Sequence, residues 1–269
     1  MREGVAVKAV RIAAAASYVL MIVVNVLANI LPINGVTTGQ VSDCYPNLFA
    51  PAGLSFAIWG LIYLLLAGFT MYQLGFFQDK RGAMKPHLLY QVAVLFTFSS
   101  LANTAWIFCW HYKLIPLSMV LMVLILLSLI SIIGLVDKKP LSLRENVFVR
   151  LPFSVYLGWI TVATIANATV LLVSWEWDGF GLSEPTWTVI MIIAGMLIGG
   201  ATTLRNRDAI YGLVVVWAYL GIIIRHTSPQ GFGGQFPLVV AVTILCIVVL
   251  AAAIIATIFR KSRSTRIKV

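Results

Sequence analysis

The sequence predicts an all-α fold, a polytopic transmembrane helical bundle of about eight helices with both termini cytoplasmic. Three observations carry this. The chain has 269 residues, of which 61% are hydrophobic, at a mean hydropathy of +0.98. Its 19 basic and 9 acidic residues stand outside long apolar stretches. No charge falls between Arg11 and Asp43, Asp43 and Asp79, Lys113 and Asp137, Arg150 and Glu176, Glu184 and Arg205, Asp208 and Arg225, or Arg225 and Arg260. The Lys and Arg residues, finally, sit on alternate loops. A bilayer core of roughly 30 Å takes about 20 apolar residues to cross as a helix. Lipid supplies no hydrogen-bond partner, so each span must satisfy its own backbone. Long unbroken apolar runs exclude barrel strands, which alternate polar and apolar residues.

The first span is 12–31. Its basic start resembles a secretory signal, but the apolar stretch is too long and no small-x-small cleavage pattern follows before Pro32, so a retained helix is expected. The connection 31–53 is long enough to be functional; Pro32, Gly35, Gly39, Pro46 and Pro51 imply defined turns. It is read either as a lid or as an ordered capping loop. Spans follow at 54–76, 88–110, 116–136 and 151–175. The sixth, 186–204, carries Gly195 and Gly199, a small-xxx-small pair that lets helices approach closely, within the chain or in a homodimer. The seventh, 209–224, is short because Asp208 and Arg225 close it. The segment 227–236 is Gly-rich and uncharged, and the eighth span is 237–259.

Loop by loop, 17 of the 19 basic residues fall on one side, with only Lys113 and Arg225 on the other. By the positive-inside rule that side is cytoplasmic. The net charge of +10 is therefore a property of topology. Nucleic-acid binding, which needs a basic patch on a folded surface, is not expected. The tail from Arg260 suits anionic headgroups. The partners expected are the lipid bilayer and a lipophilic small molecule, in a bacterial cytoplasmic membrane.

Cys44 and Cys109 both fall toward the outer face, where a disulfide is one option; Cys246 is a packing residue. His87, His111 and His226 stand singly at membrane edges, without metal spacing, and read as interfacial polar residues. No acidic or basic residue lies mid-membrane, which argues against proton-coupled pumping and removes the usual acid–base equipment of hydrolysis. Nucleotide-binding and hydrolase motifs are missing. No enzyme is expected, and no cofactor is required.

The polar groups that do enter the bilayer lie on three spans. Asn25 and Asn29 share a face of the first. Ser99, Ser100, Asn103 and Thr104 precede Trp106 and Trp110 on the third. Tyr156, Trp159, Thr161, Thr164 and Asn167 lie on the fifth. An amide in lipid must find a partner, so these faces should turn inward. Two readings stay open: bonding of helix to helix, or the lining of an aromatic pocket. Trp175, Trp177 and Trp187 read as interface anchors.

The fifth span, Leu151-Pro-Phe-Ser-Val-Tyr156-Leu-Gly-Trp159-Ile-Thr-Val-Ala163-Thr164-Ile-Ala-Asn167, resembles that of the TspO/MBR family, the tryptophan-rich sensory proteins that include the mitochondrial translocator protein. Leu101-Ala-Asn103-Thr-Ala-Trp106-Ile-Phe108 is similar to the family's third helix. Phe49-Ala-Pro51-Ala-Gly53-Leu-Ser-Phe56-Ala-Ile-Trp59-Gly-Leu-Ile-Tyr63 is similar to its Pro-rich entry to the second. The resemblance covers about residues 10–175. It implies a five-helix unit at 1–175, followed by three additional helices and a basic tail at 176–269. It also implies a planar lipophilic ligand of porphyrin or haem type, with Trp59, Tyr63, Asn103, Trp106, Trp159 and Asn167 as binding residues. Indole faces suit stacking and amides suit propionates. The stretch after Asn167 lacks the aromatic and basic residues of the cholesterol-recognition segment, so cholesterol is not implied. A small-molecule carrier and a scaffold without ligand are the alternatives.

Overall fold

A computed structural model describes residues 2–31, 33–78, 84–138 and 140–266. The described residues are helical with no strand, and eight of their helices are long and apolar enough to cross a membrane. They contain α1 (Arg2–Ile30), α2 (Ile58–Gln73, whose span begins with the 3-10 turn at Gly53), α3 (Pro86–His111), α4 (Ile115–Val136), α5 (Leu151–Ser174), α6 (Glu184–Arg205), α7 (Ala209–Thr227) and α8 (Pro237–Arg266). Of the basic residues behind the expected orientation, Lys80, Arg81, Lys139 and Lys268 lie outside the described residues, as does Pro32.

Helix ends follow local chemistry. The fifth crossing runs over Leu143–Ser174 and so begins before the expected position 151. Its start is a capping box: Glu145 N–H donates to Ser142 Oγ (3.2 Å) and Ser142 N–H to Glu145 Oε2 (2.7 Å). This satisfies amides that a helix start leaves open, and it accounts for Glu145 being only 4% exposed. A π turn over Asn146–Arg150 separates this start from α5. Pro152 cannot donate a backbone hydrogen bond, and the wider turn just before it absorbs that irregularity.

The chain forms two compact units, Met1–Val41 with Trp59–Leu157, and Ser42–Ile58 with Gly158–Val269. This division falls within α5. In the first unit α3 packs against α1 and α4. Phe69, Phe96 and Phe153, all fully buried, meet edge-to-face at centroid distances of 5.1, 4.8 and 5.8 Å and join α2, α3 and α5. Such pairs contribute about 0.5–1.5 kcal/mol each beyond area burial, which matters where lipid removes the hydrophobic drive between helices. Tyr18 donates to Tyr63 O (2.8 Å) across α1 and α2. Arg150 pairs with Asp137 (3.0 Å) at the end of α4.

In the second unit α8 packs against α6 and α7, which also touch each other. Glycines set these approaches. A Cβ on Gly195 would lie 2.6 Å from Tyr219 Oη, and one on Gly199 3.2 Å from Val215 Cγ1 and 3.4 Å from Leu250. The small-residue face of α6, read from sequence as a docking or dimer face, is thus occupied within the chain. Tyr219 donates to Ile192 O (2.6 Å) and Tyr211 to Thr161 Oγ1 (3.1 Å). Cys44, Cys109 and Cys246 are free thiols.

Candidate functional site

The first unit brings together Trp59, Tyr63 and Asn103, with Tyr156 as the hub. Trp59 and Tyr63, one turn apart on α2, stack at 5.4 Å and 25°. Trp59 meets the ring of Tyr156 at 5.8 Å and 65°. The hydroxyl of Tyr156 accepts from Asn103 Nδ2 at 3.3 Å. Asn103 Oδ1 in turn accepts from Asn25 Nδ2 at 2.8 Å, which also reaches Met21 O at 2.8 Å. Asn29 donates to Asn25 O (2.9 Å), so an amide–phenol chain runs from α1 through α3 to α5. Asn103 and Tyr156 are buried, whereas Trp59 and Tyr63 are half-buried and keep part of their rings accessible. Trp106, one turn beyond Asn103, stacks on Trp110 at 5.3 Å and 20°.

Ser99, Thr104 and Thr164 donate to carbonyls of their own helices at 2.9, 2.9 and 2.7 Å. Hydroxyls do this readily inside helices, so the bonds that join α1, α3 and α5 in this cluster run through the amides of Asn25 and Asn103. In the second unit Trp159 is buried and takes Phe56 edge-on, at 5.7 Å and 82°. Asn167 is 2% exposed on the same helix. The expected residues thus divide, with Trp59, Tyr63, Asn103 and Trp106 in one unit and Trp159 and Asn167 in the other. Tyr156 was recognised in sequence only as part of a polar face. Its position three residues before Trp159 was the available signal for its central place.

A family model described as TSPO-like protein matches residues 11–256. The chain belongs to the TSPO-like protein family. The match extends past residue 175 and takes in the last three spans, beyond the stretch in which the motifs were read. No curated protein and no solved structure matches the chain.

Between α1 and α2 of this TSPO-like protein, residues 33–57 are bonded to helix ends in each unit. A 3-10 turn at Ile33–Gly35 and a short helix at Thr38–Asp43 lead to a second 3-10 turn at Gly53–Ala57. In the first unit, His111 and Trp110 at the end of α3 hold its start. His111 Nδ1 faces Ile33 O at 3.1 Å and Nε2 faces Thr38 Oγ1 at 3.0 Å, while Trp110 Nε1 donates to Thr38 O at 3.1 Å. Asn34, at φ 55°, donates to His111 O at 3.1 Å. In the second unit, His226 Nε2 faces Leu48 O at 2.8 Å, Ala52 N–H donates to Gly221 O at 2.9 Å, and Trp217 Nε1 donates to Ser55 O at 3.0 Å. These bonds describe a capping segment rather than a free lid. They also correct the reading of His111 and His226: both are 0% exposed, so neither is an interfacial side chain. Among the described residues no His, Cys, Asp or Glu cluster suits a metal ion.

The second unit of this TSPO-like protein also contains a cavity of about 460 Å³. It lies between residues 46–49, the end of α5, the connection 176–184 and the first turns of α6. Trp177 and Trp187 line it and tilt against each other at 4.8 Å and 56°. Trp187 Nε1 donates to Gly179 O, which ties that indole to the connection between α5 and α6. Trp175, by contrast, is 61% exposed, as an interfacial anchor should be.

Proposed function

We propose that this TSPO-like membrane protein binds a planar lipophilic ligand of porphyrin or haem type, as a sensor, a regulator or in ligand handling. The observation that supports it best is the stacked, half-buried Trp59–Tyr63 pair beside Tyr156 and the buried amide of Asn103. A flat apolar guest needs ring faces to stack on and a small number of fixed polar groups to orient it. Trp106, Trp159 and Asn167 are further candidates for contact. The protein needs no cofactor and carries out no reaction of its own. The distribution of basic residues supports an orientation with both termini inside, in a bacterial cytoplasmic membrane.

The test is titration of the purified protein with a porphyrin, read by tryptophan fluorescence. Saturable quenching is expected, at least about tenfold weaker in Trp59→Ala, a loss of roughly 1.4 kcal/mol. The same titration on Trp159→Phe and Asn167→Ala reports whether the second unit takes part. Unchanged fluorescence at all porphyrin concentrations would falsify the reading.

A specific observation favours a second reading. The side chains of Asn25, Asn103 and Tyr156 are already bonded to one another, as a scaffold of packed helices requires. Loss of stability in Asn103→Ala, together with the absence of any porphyrin binding, assigns the protein to that class. Ligand flux into proteoliposomes would make it a carrier.

A further inference from the structure

The cavity of the second unit differs in chemistry from the Trp59–Asn103 cluster. Glu176, Asp178 and Glu184 line it, and no lysine, arginine or histidine does. These are three of the chain's 9 acidic residues, gathered on one cavity of a protein whose net charge is +10. Its remaining surface is largely apolar: Leu48, Phe49, Leu172 and Met191 contribute, together with the two indoles. The volume, about 460 Å³, falls in the range of small-molecule sites.

The aromatic side is built in advance. Phe180 takes Trp177 edge-on at 5.2 Å and 85° and lies 6.3 Å from Trp187, so the three rings hold one another. Asp178 Oδ1 accepts from Phe180 N–H at 3.1 Å. A Cβ on Gly179 would stand 2.6 Å from Trp187 Nε1, so a glycine is required for the indole to sit there. Rings fixed before binding lose little freedom when a ligand arrives.

Indole faces beside carboxylates, over an apolar floor, are the environment that a cation with hydrocarbon substituents prefers. The ring quadrupole and the carboxylates attract the charge, and the floor takes the apolar body. A small inorganic cation fits poorly, because the carboxylates form no metal-binding group and hard cations take oxygen ligands on every side. A propionate-bearing porphyrin is repelled by three carboxylates. We propose that this cavity is a second binding site, selective for an organic ammonium carried on an apolar body. Such a group occurs in free amphiphilic cations and in choline lipid headgroups.

The probe is benzyltrimethylammonium, titrated by calorimetry into the full chain in maltoside detergent, with benzenesulfonate as an anion of similar size. The cation is expected to bind saturably and the anion not at all. Glu176→Gln combined with Glu184→Gln should weaken the cation at least about tenfold, and added salt should weaken it in the wild type. Both glutamates are exposed, so the exchange disturbs no packing. Trp177→Leu should weaken it by about fivefold through the lost ring face. Displacement by phosphocholine assigns the ammonium to a lipid headgroup, and lack of displacement assigns it to a free cation; either result keeps the site. No saturable binding of the cation, equal binding of the sulfonate, or unchanged affinity in the double variant overturns the proposal. Porphyrin quenching in that variant should equal the wild type, so this site and the porphyrin site succeed or fail separately.

Discussion

Asn103 accepts from Asn25 and donates to Tyr156, so truncating it removes a partner from two buried groups at once. Polar bonds between membrane helices are worth about 0.6–2 kcal/mol. Asn103→Ala should therefore lower the unfolding free energy by about 1–2 kcal/mol, measured by denaturation in detergent. Tyr156→Phe keeps the buried ring beside Trp59 and loses one long bond, and should cost less than about 1 kcal/mol. An equal loss in both variants would mean that the amide chain does not couple α1 to α3. The inward turn of Asn25 and Asn103 was legible in the sequence, because an unpaired amide in lipid is expensive wherever it lies. Their direct bond was not, since nothing in a linear chain says which of several buried amides will meet. His111 and His226 escaped for a related reason. At a span's end a histidine is equally at home in headgroups or under a loop, and the carbonyls of Ile33 and Leu48 that decide the matter are far away in sequence.

At the scale of elements, glycine reveals where helices come closest. A Cβ on Gly221 of α7 would collide with Ser55 Oγ and lie 2.9 Å from Pro51 Cβ, in the turn that Ala52 and Trp217 already bind. Gly60 of α2 has nothing within 4 Å of the same position. Gly221→Ala should destabilise by about 1–3 kcal/mol through overpacking. Gly60→Ala should be neutral or stabilise by about 0.5–1 kcal/mol, since alanine restricts the unfolded chain. Thermal unfolding of the two variants side by side checks the contrast; equal shifts would refute the close approach of α7 to residues 51–57. The spans themselves could be read from charge-free length, and their ends to within a few residues. The extension of the fifth crossing back to Leu143 was signalled by Ser142 and Glu145 at capping-box spacing. It was hidden by the charges of Arg144 and Arg150, which an apolar-run criterion treats as loop.

For the whole molecule, the distribution of basic residues makes an orientation testable. Cys44 is exposed on the connection between α1 and α2, while Cys109 and Cys246 are buried. A membrane-impermeant maleimide added to intact cells should therefore label Cys44. Leu143→Cys in a Cys44→Ser background should label only once the membrane is opened; position 143 is 80% exposed and lies among the basic loops. The reverse pattern would invert the topology. Class and crossing number were determined by the sequence alone, because the penalty for charge and unpaired backbone in lipid acts on each residue wherever the rest of the chain goes. Family membership was legible in motifs on three helices, although the match reaches across all eight. The tertiary structure alone decided which polar groups pair, that the glycines of α6 are consumed within the chain, and that Trp177 and Trp187 line an acidic cavity. Those outcomes depend on where side chains from distant segments meet, and an indole or an amide has the same local preference in either place.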